Sequence, residues 1–187
     1  RTGGVLERAG HTEASVDISK LAKINPSAVI CEVMNEDGRM ARLKDLHKFS
    51  IKHKIRIASI EDLIAYRLRN EKLVSKKYSK SLKIKKIPKC EIITYENKLN
   101  NSKNYVIKRG NFSRTKSIRI RVVSTNVNNS KIILQNSLIK KSFKYLSKFA
   151  SFALVIINNK IIDRNEKENL TLRYYGIGAQ IIKDLKV

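Results

Sequence analysis

The sequence predicts an α/β protein of mixed α+β character, in which helices cover a layered sheet. Its 187 residues are 42% hydrophobic, which is typical of globular chains and sufficient for one ordinary domain or two small ones. Apolar runs of strand length alternate with segments that have helical spacing. Cys31 and Cys90 are the two cysteines, too few for a disulfide framework, and they favour a reducing compartment, the cytoplasm.

Residues 1–70 form the first predicted domain. Ala14, Ile18 and Leu21 share one helical face and predict a helix over 12–24, which Pro26 ends. The run 28–34 is apolar except at Glu32 and predicts a buried strand. The further predicted elements are a turn at 35–38, a helix from Leu43 to about His53, a strand over 55–60 and a helix that Ser59 and Asp62 cap.

Residues 71–89 predict a basic linker, because they show little sign of an apolar face. A second small α/β domain is predicted over 90–187. Its strands are expected at 91–95, 105–107, 118–123 and 152–157, its helices at 138–150 and 177–185, and a polar loop at 158–169.

The formal net charge of +24 is concentrated in residues 71–150, which hold 21 basic and 3 acidic side chains. Such a segment is typical of a nucleic-acid-binding module. AT-rich coding explains it better, since Lys, Asn and Ile are enriched together and few Arg or clustered aromatic residues are available for base recognition. We therefore expect nucleic acid not to be a partner. The longest charge-free apolar stretch, 149–159, is too short for a membrane span.

A chemically distinctive segment opens the chain. Gly10, His11 and Thr12 lie at a predicted helix start, where free amide groups favour an anion, and Arg8 adds positive charge. His11 is able to bind a metal or transfer a proton, and a buried Glu32 would need a cation or a hydrogen-bond partner. The alternatives are a structural His11, a Thr12 that merely caps the helix, and a Glu32 exposed at a strand end.

Four segments closely resemble the C-terminal half of 3,4-dihydroxy-2-butanone 4-phosphate synthase: GGVLERAGHTEA (3–14), VICEVMNEDG (29–38), MAR (40–42) and IEDLIAYR (60–67). The resemblance implies a metal-binding lyase of riboflavin biosynthesis that converts D-ribulose 5-phosphate to formate and 3,4-dihydroxy-2-butanone 4-phosphate with Mg²⁺ or Mn²⁺. It also implies substrate contacts from Arg8, Ala9, Gly10, His11, Thr12 and Glu32, a metal ligand in His11, and catalytic roles for His11 and Glu32.

The segments ITYEN (93–97) and YYGIGAQIIKDL (174–185) resemble parts of a GTP cyclohydrolase II domain. That family's zinc site needs three cysteines, whereas Cys90 stands alone after residue 89. We therefore expect a degenerate domain without zinc and without cyclohydrolase activity. The family's acidic loop and a further essential His are not present in these residues, so we expect the fragment alone to be inactive. The synthase resemblance also implies that the intact protein is a homodimer. An inert structural remnant is the remaining alternative.

Overall fold

The computed structural model describes residues 1–84, 87–114, 117–127, 130–158 and 167–186. The chain divides into two compact units, Arg1–Arg67 and Leu68–Val187, which are described in turn as unit 1 and unit 2. Helices and a five-stranded sheet are both present, so the predicted mixed α/β fold class is confirmed.

Unit 1 is built from helices. A short 3₁₀ helix, Gly4–Leu6, precedes α1 (His11–Leu21) and α2 (Leu43–His53), and α3 (Ile60–Asn70) begins near its end. The predicted cap of α3 is confirmed, because the Asp62 amide donates to Ser59 Oγ over 3.0 Å and that hydroxyl donates to the Asp62 carboxylate over 2.7 Å.

Two predicted strands are absent from unit 1. Residues 28–33 form no strand, a single bridge joins Met34 to Met40, and residues 55–59 are irregular. Val29 is 99% exposed. An apolar run becomes a strand only where a neighbouring strand pairs with its backbone, and the described part of unit 1 supplies none.

The predicted apolar face of α1 is also wrong. Its buried residues are Glu13, Asp17 and Ser19, whereas Ile18 and Leu21 are exposed. The helix therefore packs inward through polar side chains, and hydrogen bonds rather than apolar burial hold that face.

Unit 1 consequently presents many large apolar side chains to solvent. The exposed members are Ile18, Leu21, Ile24, Val29, Ile30, Met34, Met40, Leu43, Phe49, Ile51, Ile55 and Ile57.

We expect this surface to make the 187-residue chain bind the apolar dye ANS and self-associate. The double substitution Val29→Lys/Met34→Lys should lower both signals without lowering the free energy of unfolding, because neither side chain is packed. Dye fluorescence and light scattering measure the first effect, and urea denaturation measures the second. The matched control is Tyr175→Lys, an exposed side chain of unit 2, and an equal effect of that control would contradict the assignment to unit 1.

Unit 2 contains the sheet. Its strands are β1 (Val74–Ile84), β2 (Ile87–Asn97), β3 (Lys103–Arg109), β4 (Arg119–Thr125) and β5 (Phe152–Asn158), in the spatial order β1-β2-β3-β5-β4. Neighbouring strands are antiparallel except β4 and β5, which run parallel. The four strands predicted in this region correspond to β2, β3, β4 and β5.

The predicted linker at 71–89 is wrong, since most of it belongs to β1 and the start of β2. β1 pairs antiparallel with β2 from Val74↔Asn97 to Ile84↔Ile87 and lies at the edge of the sheet. An edge strand tolerates exposed lysines, which protect it against pairing with other chains, so its sequence lacks the apolar pattern of an inner strand.

β5 explains how the core is organised. Its alternate residues Phe152, Leu154 and Ile156 pack with α4 (Ser137–Leu146), and Ala153, Val155 and Ile157 pack with α5 (Lys167–Asp184). All seven residues of the strand are buried. The unbroken apolar run therefore marks a strand covered by a helix on both faces, as predicted.

Both predicted helices of unit 2 are present with different bounds. α4 ends at Leu146 rather than near residue 150, and α5 begins at Lys167 rather than at residue 177. Of the predicted polar loop at 158–169, residues 159–166 lie outside the described residues. Among the described helices, none has the length and apolar character required to cross a bilayer.

Candidate functional site

The chemically distinctive segment forms a tight loop that leads into α1. The Gly4 carbonyl accepts from the amides of Glu7 (2.9 Å) and Arg8 (3.0 Å), and the Gly10 amide donates to the Arg8 carbonyl over 2.9 Å. Val5 and Leu6 are buried, whereas His11 and Thr12 are exposed. The loop therefore anchors its first half in unit 1 and presents its second half to solvent.

The start of α1 is open to an anion. Gly10 is the N-cap residue with extended backbone and no side-chain cap, so the amides of His11 and Thr12 have no acceptor within the helix, whereas the Glu13 carboxylate accepts from its own backbone amide. A side chain at Gly10 would collide with the Glu13 carboxylate and approach Arg8 Nη1. A larger residue here would therefore have to displace the Glu13 carboxylate, and the helix start has the polarity that binds phosphate.

Glu13 holds Arg8 beside this helix start. Arg8 Nη1 donates to Glu13 Oε2 over 3.1 Å and to Oε1 over 3.3 Å, while the Glu13 side chain is almost fully buried. Burial alone would raise the pKa of Glu13. Hydrogen bonds from the backbone and from Arg8 oppose this effect, and the pKa lies below its usual value. Glu13 is therefore a carboxylate at neutral pH, and Arg8 is oriented while half of its side chain stays exposed.

Asp17 forms a second anchor one helical turn further along α1. It is buried, and its Oδ2 accepts from the Val5 amide over 2.8 Å and from Arg67 Nη1 over 2.7 Å. The same Arg67 nitrogen donates to the Gly3 carbonyl over 2.9 Å. Gly4 adopts φ +60° directly against the Asp17 carboxylate, where no Cβ fits. Two charged side chains from α1 and α3 thus fix the backbone of residues 3–5.

The sequence analysis missed Asp17 and Arg67, and it assigned Glu13 no role. Glu13 and Asp17 are spaced i, i+4, which places both carboxylates on one face of α1. That spacing was the available signal, but a carboxylate pair on a helix is usually solvated. Only the fold brings Arg67, fifty residues away, against Asp17.

Glu32 does not lie where the sequence analysis placed it. It is exposed in the irregular segment 28–33, not buried in a strand, so no burial cost demands a cation. One end of that segment is held by the Ser19 hydroxyl, which donates to the Ser27 carbonyl over 3.1 Å. No hydrogen bond or ion pair joins His11 to Glu32 within the described part of the chain. Both side chains are accessible to a ligand, but the structure does not itself bring them together.

The described residues do not fit a complete metal site. Within 1–84 and the later described ranges, no group of three or more His, Cys, Asp and Glu side chains is arranged to hold an ion. His11 supplies one exposed imidazole, and Glu13 and Asp17 are already engaged by arginines. Further ligands would have to come from substrate, water or other residues.

Unit 2 has a cavity of about 720 Å³ between the start of β1 and α5. Gln180 lines this cavity. Its side-chain Nε2 donates to the Leu68 and Glu71 carbonyls (2.9 and 2.7 Å), and its Oε1 accepts from the Leu73 amide (2.8 Å). Asp184 accepts from the Tyr95 hydroxyl over 2.8 Å. These polar groups already have hydrogen-bond partners within unit 2, so we assign them a structural rather than a catalytic role.

Cys90 lies in the core of unit 2 on β2, next to Ile92 and Phe152 in the same apolar cluster. Burial raises the pKa of its thiol, although the positive charge of Arg109 opposes this. A protonated, buried thiol is a poor nucleophile and a poor metal ligand.

Comparison with known families assigns the N-terminal segment. Residues 1–66 match the family model described as 3,4-dihydroxy-2-butanone 4-phosphate synthase. This part of the chain is therefore similar to that family, and the predicted resemblance of the N-terminal segment to the synthase is confirmed. The cyclohydrolase-like resemblance of residues 90–187 stays a prediction, as do the functional roles of the site residues.

Two curated relatives extend the similarity over the rest of the chain. The riboflavin biosynthesis protein RibBA of Aquifex aeolicus is 38% identical over 215 aligned positions, which cover 100% of this chain and 53% of the relative. The RibBA protein of Bacillus cereus strain B4264 is 33% identical, with 99% and 53% covered. The chain thus spans about half the length of the curated relatives it matches.

The chain is also similar to a solved structure. RibBX from A. baumannii, described as a two-domain 3,4-dihydroxy-2-butanone 4-phosphate synthase, matches with a TM-score of 0.74 and 30% sequence identity. The match covers 99% of this chain and 53% of that chain.

Proposed function

We propose that this chain belongs to a lyase of riboflavin biosynthesis that converts D-ribulose 5-phosphate into formate and 3,4-dihydroxy-2-butanone 4-phosphate. The observation that carries the proposal is the match of residues 1–66 to the synthase family, in a unit whose first loop ends at an open helix start. The 187 residues alone are expected to be inactive, since they span about half of their relatives.

The start of α1 is the proposed seat of the substrate phosphate. The segment Arg8–Ala9–Gly10–His11–Thr12 combines free amide groups, an oriented guanidinium and two exposed side chains that are able to hydrogen-bond. His11 would transfer or hold a proton at the sugar, and the exposed carboxylate of Glu32 would serve as a second proton carrier once substrate lies between them.

Mg²⁺ or Mn²⁺ is the proposed cofactor, with His11 as one ligand. A bound divalent ion supplies polarisation of ketose oxygens. Among the described residues, His11 is the single proposed ligand, so the chain does not by itself complete the coordination shell of the ion. We therefore assign no chemical step to the ion.

Unit 2 is the proposed cyclohydrolase-like part, without zinc and without GTP cyclohydrolase II activity. The buried, protonated Cys90 supports this proposal. The intact protein is proposed to be a homodimer. Its proposed location is the cytoplasm, where the exposed thiol of Cys31 stays reduced.

Formate release tests the proposed activity. The full-length protein encoded by the gene for this chain is incubated with D-ribulose 5-phosphate and Mg²⁺ or Mn²⁺, and formate is measured with formate dehydrogenase. We expect release with metal, loss after EDTA treatment and no consumption of GTP in a parallel reaction. Absence of formate with either metal would contradict the proposal.

Two matched pairs of variants test the site. We expect His11→Ala and Glu32→Gln each to lower the rate by at least about tenfold, which corresponds to one lost hydrogen bond or proton transfer in the transition state. His47→Ala and Glu36→Gln, exposed residues of the same types in unit 1, should leave the rate unchanged. Equal rates within either pair would refute that residue's assignment.

The alternative of a nucleic-acid-binding module over 71–150 gains no support from the relatives, which are biosynthetic proteins. The exposed lysines of β1 have an adequate role as protection of a sheet edge.

A further inference from the structure

We propose that Asp17 and Arg67 are positioning residues that set where Arg8–Thr12 meet the phosphorylated sugar. The inference rests on the proposed function, because it assumes that this segment binds substrate. Neither residue is a substrate contact. Both act on the backbone that carries the contacts.

The geometry places this pair at the point where three segments meet. Arg67 Nη1 bridges Asp17 Oδ2 (2.7 Å) and the Gly3 carbonyl (2.9 Å), while Asp17 Oδ2 also holds the Val5 amide (2.8 Å). The Asp17 and Arg67 side chains are 3% and 12% exposed, so the ion pair is shielded from water and salt. The pair therefore fixes residues 3–5 against α1 and α3.

A continuous series of backbone hydrogen bonds connects these fixed residues to the binding segment. Gly4 lies between the two backbone groups held by the pair, and its carbonyl accepts from the Arg8 amide over 3.0 Å. The Arg8 carbonyl in turn accepts from the Gly10 amide, directly before His11. A shift of Gly4 must consequently move Arg8 and the start of α1.

Buried charge explains why Asp17 and Arg67 position the loop rather than bind the ligand. Asp17 is a carboxylate already occupied by two donors, and it would repel a phosphate. Arg67 donates to the Asp17 carboxylate and the Gly3 carbonyl, and little of its side chain is exposed. Arg8, in contrast, is oriented by Glu13 and has about half of its side chain exposed. Removing either partner leaves the other charge buried and uncompensated, so the loop would rearrange rather than lose one contact.

The test compares Arg67→Ala, Arg67→Lys and Asp17→Asn with the matched control Arg69→Ala, an exposed arginine of the same helix. In the full-length protein encoded by the gene, we expect Arg67→Ala to raise the KM for D-ribulose 5-phosphate by about tenfold or more and to change kcat less. Arg67→Lys should recover part of the loss, because its ammonium is able to reach one of the two acceptors. Arg69→Ala should match the wild type.

Hydrogen exchange provides a readout that does not depend on activity. We expect the amides of residues 3–8 to exchange about tenfold faster in Arg67→Ala and Asp17→Asn, with α2 unchanged. If the wild type releases no formate, the proposed function fails while the exchange result still decides whether the pair fixes the loop. Unchanged loop exchange, or a fall in kcat at constant KM, would overturn the inference. If Arg67→Ala does not fold, Arg67→Lys and Asp17→Asn decide by the same criteria.

Discussion

Gly4→Ala is expected to destabilise unit 1 by about 4–6 kcal/mol, whereas Gly38→Ala should cost about 1 kcal/mol. Both glycines have positive φ, +60° and +78°. In each variant the alanine would therefore adopt a left-handed backbone conformation, which costs an L residue at most about 1–2 kcal/mol. A Cβ at Gly38 meets open space. At Gly4 it collides with the Asp17 carboxylate and displaces it from Arg67, and breaking a buried ion pair costs roughly 3–5 kcal/mol.

Hydrogen exchange of the slowest amides in α1 measures this difference, because those amides exchange through unfolding of the unit. Gly38→Ala is the matched control, with the same chemical change and the same sign of φ. Equal protection in the two variants would show that the Asp17 carboxylate moves aside at little cost, and the rigidity assigned to the loop would be wrong.

Local sequence patterns predicted those parts of the fold that local chemistry determines. The apolar run of β5 and the spacing of Ile139, Phe143 and Leu146 in α4 are visible without knowledge of the fold, since each segment buries its own side chains. β1 was missed because an edge strand has backbone partners on one side and presents lysines to solvent. The strand predicted at 28–34 failed for the opposite reason: apolar residues are present, but no described strand of unit 1 pairs with them.

The candidate site shows the same division. The segment Arg8–Thr12 was recognisable, because a glycine, an imidazole and a hydroxyl at a helix start are a local pattern. The residues that hold it were not recognisable. The role of Asp17 depends on Arg67, fifty positions later, and no periodicity within one helix reports such a partner. Glu32 was misplaced because its predicted burial depended on a strand that did not form.

Phe152→Ala is expected to lower the free energy of unfolding of unit 2 by about 3–5 kcal/mol, the cost of deleting a fully buried aromatic ring and leaving a cavity. Phe152 is 0% exposed at the start of β5. Its ring packs edge-to-face on Phe143 of α4, with centroids 5.8 Å apart. Its backbone pairs with Arg109 of β3 on one side and with Arg119 of β4 on the other. The deleted ring therefore lies where the antiparallel strands of the sheet meet the parallel pair.

Tyrosine fluorescence during urea denaturation follows this transition selectively, because the chain has no Trp and six of its seven tyrosines belong to unit 2. The control is Leu138→Ala on α4, whose side chain is 41% exposed and which should cost below about 1 kcal/mol. A small effect of Phe152→Ala, comparable with that control, would mean that α4 does not depend on β5 for its packing, and the assignment of β5 as a strand covered on both faces would fail.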